Sequence, residues 1–69
     1  MNRLKEFREK AGKRQDEIAA IINVSLPNYC KKENGDIRVS LLEAKVLSEY
    51  FNASIDDIFF DNKVSKKET

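Results

Sequence analysis

Histidine and tryptophan are absent from this chain, and cysteine, proline and methionine occur once each in its 69 residues. Without histidine there is no side chain whose ordinary pKa lies near neutrality, and the usual zinc sites lose their commonest ligand. One cysteine cannot build a disulfide framework, and a lone thiol suits a reducing cytoplasm. No apolar run approaches the length of a membrane span, and the opening "MNRLKEFREKAG" is too polar for a secretory signal. There is no glycine-rich phosphate loop, and Cys30 has no base to activate it. These absences argue against an enzyme, and no metal, cofactor or small-molecule ligand is expected.

Charge of one sign is also missing overall. Thirteen Lys and Arg face twelve Asp and Glu, a net charge of +1. The distribution says more than the sum. Residues 1–38 carry +3, residues 40–62 carry −4, and the last seven return +2. The chain has a basic N-terminal half and an acidic stretch behind it.

What is present is helical patterning. "NRLKEFREKAG" sets Leu4, Phe7 and Ala11 at helical spacing with Gly12 as a stop, so a helix is expected over 3–11. "QDEIAAIIN" repeats the pattern with Ile18, Ala19 and Ile22. Asp16 and Glu17 lie in its first turn, where the helix dipole favours anions, giving a helix over 15–22. Ser25 is a good N-cap, Pro27 is tolerated in a first turn, and Tyr29 points inward from a helix over 26–33. Asn34-Gly35 then turns the chain.

Ser40 and Glu43 form a capping box ahead of "LLEAKVLSEYF", whose inward stripe reads Leu41, Ala44, Leu47 or Ser48, and Phe51. Ser54 with Asp57 caps a fifth short helix, "IDDIFF". The ending "DNKVSKKET" has almost no apolar content and is expected to be disordered. No alternation supports a sheet. The expectation is one compact all-α domain of five helices over 1–60, with a tail over 61–69.

The second and third helices, joined through Asn23-Val24-Ser25, meet the needs of an angled pair. Ala19 lets the third helix approach, Asn23 tolerates positive φ, and Ile18, Ile22, Val24 and Tyr29 supply apolar contacts around the corner. This is the arrangement of a DNA-binding helix-turn-helix, whose second helix enters the major groove N-terminus first.

The stretch "RQDEIAAIINVSLPNYCKKENG" resembles the core of the phage-repressor family (Cro/CI-like, also called XRE), whose fold is the compact lambda-repressor-like domain. Gln15, Val24-Ser25 and Glu33-Asn34-Gly35 match its characteristic places, and the likeness extends from "NRLKEFREKAG" through "SIDDIFF". Three positions depart from the family pattern. Arg14 stands where a threonine N-cap is common, Asn23 replaces the usual glycine, and Lys32 occupies a usually apolar place. At Lys32 the stem is expected to pack while the ammonium reaches solvent or phosphate.

The resemblance implies a role for each matching position. Gln15 would hydrogen-bond a phosphate or brace the recognition helix. Leu26, Pro27 and Asn28 would point into the major groove, with Asn28 pairing to a base edge such as adenine N6/N7. Lys31 would reach a base or a phosphate. Asn34, Arg38, Lys13 and Arg14 would contact the backbone and set register. Arg8 and Glu33 would form a structural ion pair. Lys5 and Lys10 are read as a solvated face, Tyr29 and Phe7 as core, and Cys30 as an inert small side chain.

Leu42, Val46 and Tyr50 recur every four residues as a second apolar stripe. With Phe60 they are candidates for a self-complementary dimer interface. The functional expectation is a cytoplasmic, nucleoid-associated transcriptional regulator of the repressor type. It would bind a palindromic double-stranded DNA operator as a homodimer. An antitoxin-like or other protein-binding module on the same fold is the alternative.

Overall fold

A computed structural model of the protein describes residues 3–59; Phe60 and the expected tail over 61–69 lie outside the described residues. Five helices follow one another: α1 (Leu4–Lys10), α2 (Gln15–Ile21), α3 (Leu26–Asn34), α4 (Leu41–Phe51) and α5 (Ile55–Phe59). No strand occurs among the described residues, and the fold is all-α. Against the sequence expectation, α1 is one residue shorter at each end, α2 ends one residue earlier and α3 runs one residue longer.

Four of these helices stop by one device. Gly12, Asn23, Gly35 and Asn52 adopt φ of 71°, 60°, 88° and 55°. Each amide there turns back to a carbonyl three residues earlier, and the following amide reaches five residues back. Examples are Asn23 N–H to the Ala20 carbonyl at 3.2 Å and Val24 N–H to the Ala19 carbonyl at 3.0 Å. This double closure satisfies carbonyls that a helix end otherwise leaves open. Gly35 is the natural choice at φ 88°, while asparagine tolerates the left-handed region at the turn before α3.

The starts are equally local. Ser25 Oγ accepts from Asn28 N–H at 3.3 Å, and Pro27 lies in the first turn of α3, where an N–H has no intrahelical partner. Ser40 and Glu43 form the reciprocal box of α4 at 3.1 and 3.0 Å, and Ser54 Oγ accepts from Asp57 N–H at 3.0 Å. At α2 only half a box exists. Glu17 accepts from Arg14 N–H at 2.8 Å, but a guanidinium has no acceptor with which to return the bond.

The core is one cluster of Leu4, Ile18, Ala19, Ile22, Tyr29, Leu47 and Ile58, contributed by all five helices and the residue that ends α2. Burying each large apolar side chain is worth about 1.5–3 kcal/mol. Phe7 is half-buried and packs on this cluster, its ring 5.9 Å from that of Phe51. Arg3 closes the domain by donating its N–H to the Ile58 carbonyl at 2.7 Å and its Nη1 to the Asp57 carbonyl at 3.1 Å. The start of α1 thereby holds the end of α5.

One sequence expectation for α4 is corrected. Leu41 does not face inward but is 78% exposed, and the inward stripe is Ala44 and Leu47 with Phe51 half-buried. Leu41 is the first residue of α4, and helical side chains lean toward the N-terminus. It therefore overhangs the end of the helix rather than covering the core. Val46 is half-buried against the core, so the second stripe consists of Leu42 at 72% exposure and Tyr50 at 41%.

Candidate nucleic-acid interface

The pair α2 and α3 packs closely, with Ala19 buried where the helices approach. The exposed first turn of α3 presents Leu26, Pro27 and Asn28 to solvent. The backbone amide of Asn28 is used by the Ser25 cap. Lys31, one turn further along, is exposed, as are Asn34 and Arg38.

What holds α3 at its angle is a carboxylate. Glu33 is buried and accepts four hydrogen bonds. Arg8 Nε and Tyr29 Oη donate to Oε2 at 2.7 and 2.8 Å; Gln15 Nε2 and Arg8 Nη2 donate to Oε1 at 2.9 and 3.3 Å. Arg8 comes from α1, Gln15 from α2, and Tyr29 from α3 itself, so one side chain joins three helices. Arg8 Nη1 also donates to the Lys13 carbonyl at 2.9 Å, fixing the connection between α1 and α2.

Burial by itself would raise the pKa of Glu33, but the donors from Arg8, Tyr29 and Gln15 outweigh it and leave the group below its ordinary value. Burial and the neighbouring Glu33 carboxylate together push the Tyr29 phenol well above the tyrosine range. No buried side-chain nitrogen or oxygen among the described residues lacks a partner.

The remaining named residues fall around this hub. Gln15 has both ends engaged, donating to Glu33 and accepting from the Cys30 thiol at 3.4 Å, so in this structure it braces α3. Arg14 is exposed and lies against Asp16, Nε to Oδ1 at 3.0 Å and Nη2 to Oδ2 at 3.4 Å. An exposed pair of this kind is held weakly and can be exchanged for another anion. Lys13 is half-buried.

Lys32 is a second correction. Its ammonium does not run out to solvent. It donates to the Arg38 carbonyl at 2.9 Å and pairs with Glu43 Oε1 at 3.0 Å, with the side chain 11% exposed. The stem packs as expected, but the charge is captured by the loop and helix that follow α3.

A family model described as helix-turn-helix matches residues 4–58. The chain belongs to the helix-turn-helix family. The XRE-type features at Gln15, Val24-Ser25 and Glu33-Asn34-Gly35 lie inside the matched span. Two proteins of Archaeoglobus fulgidus, each named an uncharacterized HTH-type transcriptional regulator, are 37% and 39% identical to it over 62 residues. The alignments span 88% of this chain and 89% and 87% of theirs. Family membership places this helix-turn-helix protein with DNA-binding regulators rather than with enzymes. No helix among its described residues is long and apolar enough to cross a membrane.

Sequence reasoning missed two partners. Glu43 was legible as an N-terminal cap of α4, but not as the counter-ion of Lys32. Nor was the weak hydrogen bond from the Cys30 thiol to the Gln15 side-chain carbonyl legible, a contact compatible with Cys30 as an inert small side chain. Both contacts join residues on different elements, and no spacing rule within one helix announces them.

Proposed function

We propose that this helix-turn-helix protein is a sequence-specific transcriptional repressor of the Cro/CI type. It reads double-stranded DNA in the major groove, with Leu26, Pro27 and Asn28 facing base edges. Asn28 is the base reader, an amide able to pair with adenine N6/N7, and the two apolar residues contact thymine methyl groups. Arg14, Lys13, Lys31, Asn34 and Arg38 contact the phosphates and set register. Gln15 braces α3 through Glu33, and the second N–H of its amide is the donor for a phosphate contact.

One observation carries the reading. The first turn of α3 is exposed and uncharged, on a helix that Glu33 locks to α1 and α2, while Lys31 further along that helix and Arg38 after it are exposed cations. A neutral amide beside apolar side chains can pair with a base edge and contact thymine methyl groups without adding attraction for phosphate.

The protein acts as a homodimer on a two-fold symmetric operator, in the cytoplasm and on the nucleoid, with half-sites about one helical turn apart. Leu42 and Tyr50, exposed on α4, form the contact between copies with the half-buried Val46 at its edge; Phe60, named with them from sequence, lies outside the described residues. The test is titration of labelled duplexes at several salt concentrations, after selection from random DNA. Affinity falls steeply with salt and favours the selected palindrome. A flat salt response, or equal binding to random duplex, would sink the proposal.

A second reading is an antitoxin-like module, favoured by Leu41, Leu42 and Tyr50 exposed on one helix. Co-purification of a stoichiometric partner, with no DNA site recovered by selection, would replace the first reading by the second.

A further inference from the structure

Lysine is an unusual residue to find nearly buried in a domain of this size, and its cost is met only where oxygens surround the ammonium. Among the described residues two such oxygens lie against Lys32, one within the segment joining α3 to α4 and one in the first turn of α4. The first is the carbonyl of Arg38, at 2.9 Å. The second is Glu43 Oε1, at 3.0 Å, on a side chain that is itself 19% exposed. Oε1 also accepts from Ser40 N–H at 3.0 Å. Earlier in the segment, the amides of Asp36 and Ile37 turn back to the Lys31 carbonyl at 2.8 and 3.4 Å. Arg38, exposed in its own side chain, is thus the middle of a loop fastened at both ends, with Lys32 tied to its peptide group.

We propose that Lys32 is a positioning residue for the DNA-backbone contact of Arg38. Its ammonium ties the Arg38 carbonyl to the Glu43 carboxylate and sets the α3–α4 loop before DNA arrives. The inference rests on the DNA-binding reading above. The device lowers the ordering cost of a flexible arginine-bearing loop, which binding would otherwise have to meet. An apolar residue at position 32 would pack the stem equally well. It would leave the Arg38 carbonyl without its donor and Glu43 without its counter-ion.

The experiment combines two measurements on wild type, Lys32→Met, Arg38→Ala and the double variant. The first is the salt dependence of binding to a fluorescein-labelled duplex carrying the selected site, with a random duplex as control. Loss of one phosphate contact lowers the slope of log affinity against log salt by about one. Each single variant is expected to show that loss, and the double variant no more than either. A double variant that loses about two would overturn the proposal, because Lys32 would then be touching a phosphate itself. An unchanged slope in Lys32→Met overturns it as well.

The second measurement needs no DNA. Backbone 15N order parameters of residues 36–40 are expected to drop in Lys32→Met and to stay high in Arg38→Ala. Unchanged values in Lys32→Met remove the clamp outright. If wild type binds neither duplex, the DNA reading fails and the role toward Arg38 fails with it; the relaxation result still decides whether the clamp exists. Should Lys32→Met not fold, Lys32→Met/Glu43→Gln gives the same comparison without a stranded carboxylate.

Discussion

Arg8 and Glu33, 25 residues apart in the chain, meet in a two-point ion pair with Nε–Oε2 at 2.7 Å and Nη2–Oε1 at 3.3 Å. Both side chains are nearly buried, and the pair connects α1 to the end of α3. A buried pair of this kind need not add net stability over an apolar one, yet removing one partner strands the other. Arg8→Ala is therefore expected to cost about 3–5 kcal/mol. For a domain whose whole stability is of order 5 kcal/mol, that leaves much of it unfolded at room temperature. Urea denaturation followed by circular dichroism measures the loss; a change under about 1 kcal/mol would show that the pair does not hold the helices.

The same hub sets the response to acid. Although burial opposes it, the donors around Glu33 hold its folded pKa below the ordinary glutamate value, and Glu43 is lowered likewise by the Ser40 amide and Lys32. A depressed carboxylate contributes fully above its unfolded pKa, about 4.3, and loses that contribution as pH falls through the folded value. Tyr29 is shifted upward, so its share fails only beyond the usual tyrosine range, on the alkaline side. With no histidine in the chain, stability is expected to be flat through neutrality and to fall in acid. Urea midpoints at about pH 7, 5 and 3 check this, and Glu33→Gln should be less stable at neutrality with a shallower acid slope.

Asn28 and Arg14 should separate reading from holding. Asn28→Ala is expected to relax preference at one base position, at a cost of about 1–3 kcal/mol on the selected site. Arg14→Ala should weaken every sequence alike and reduce the salt slope. Competition assays against single-base operator variants distinguish the two. A uniform loss from Asn28→Ala would remove it as the base reader.

The proposed dimer is best probed at Leu42. Val46 packs partly against the core, so a charge there would disturb folding as well as association, whereas Leu42 is 72% exposed. Leu42→Glu is expected to keep the helical circular-dichroism spectrum and to yield monomers in sedimentation, with a melting curve that no longer depends on protein concentration. Because each half-site is then bound alone, affinity for the palindrome should fall as well. A dimer that persists places the interface elsewhere.

Much of this architecture was legible from short stretches. Ser25, Ser40 and Ser54 announced three helix starts, and Gly12, Asn23 and Asn34-Gly35 announced three stops, each through groups within a few residues of one another. Tyr29 and Ile18 were placed in the core by spacing alone. Leu41 misled because the stripe rule treats all turns of a helix alike, whereas a first-turn side chain leans past the end of its own helix. At Lys32 the pattern points the ammonium to solvent or phosphate, because the neighbouring Glu33 is taken by Arg8, Gln15 and Tyr29 and the partners that do capture it, the Arg38 carbonyl and Glu43, lie on later elements.

The sequence by itself thus determined the five helices, most of their caps and stops, the pairing of α2 with α3, and the uncharged first turn now exposed on α3. These follow from backbone preferences and from groups one or two turns apart, which meet however the rest of the chain packs. The tertiary structure alone decided which polar side chains converge. It put Arg8, Gln15 and Tyr29 on Glu33 and closed Lys32 onto Arg38 and Glu43. The reason is that these bonds need helices brought together at particular angles, and a carboxylate becomes a hub only once burial has removed the water that would otherwise serve it.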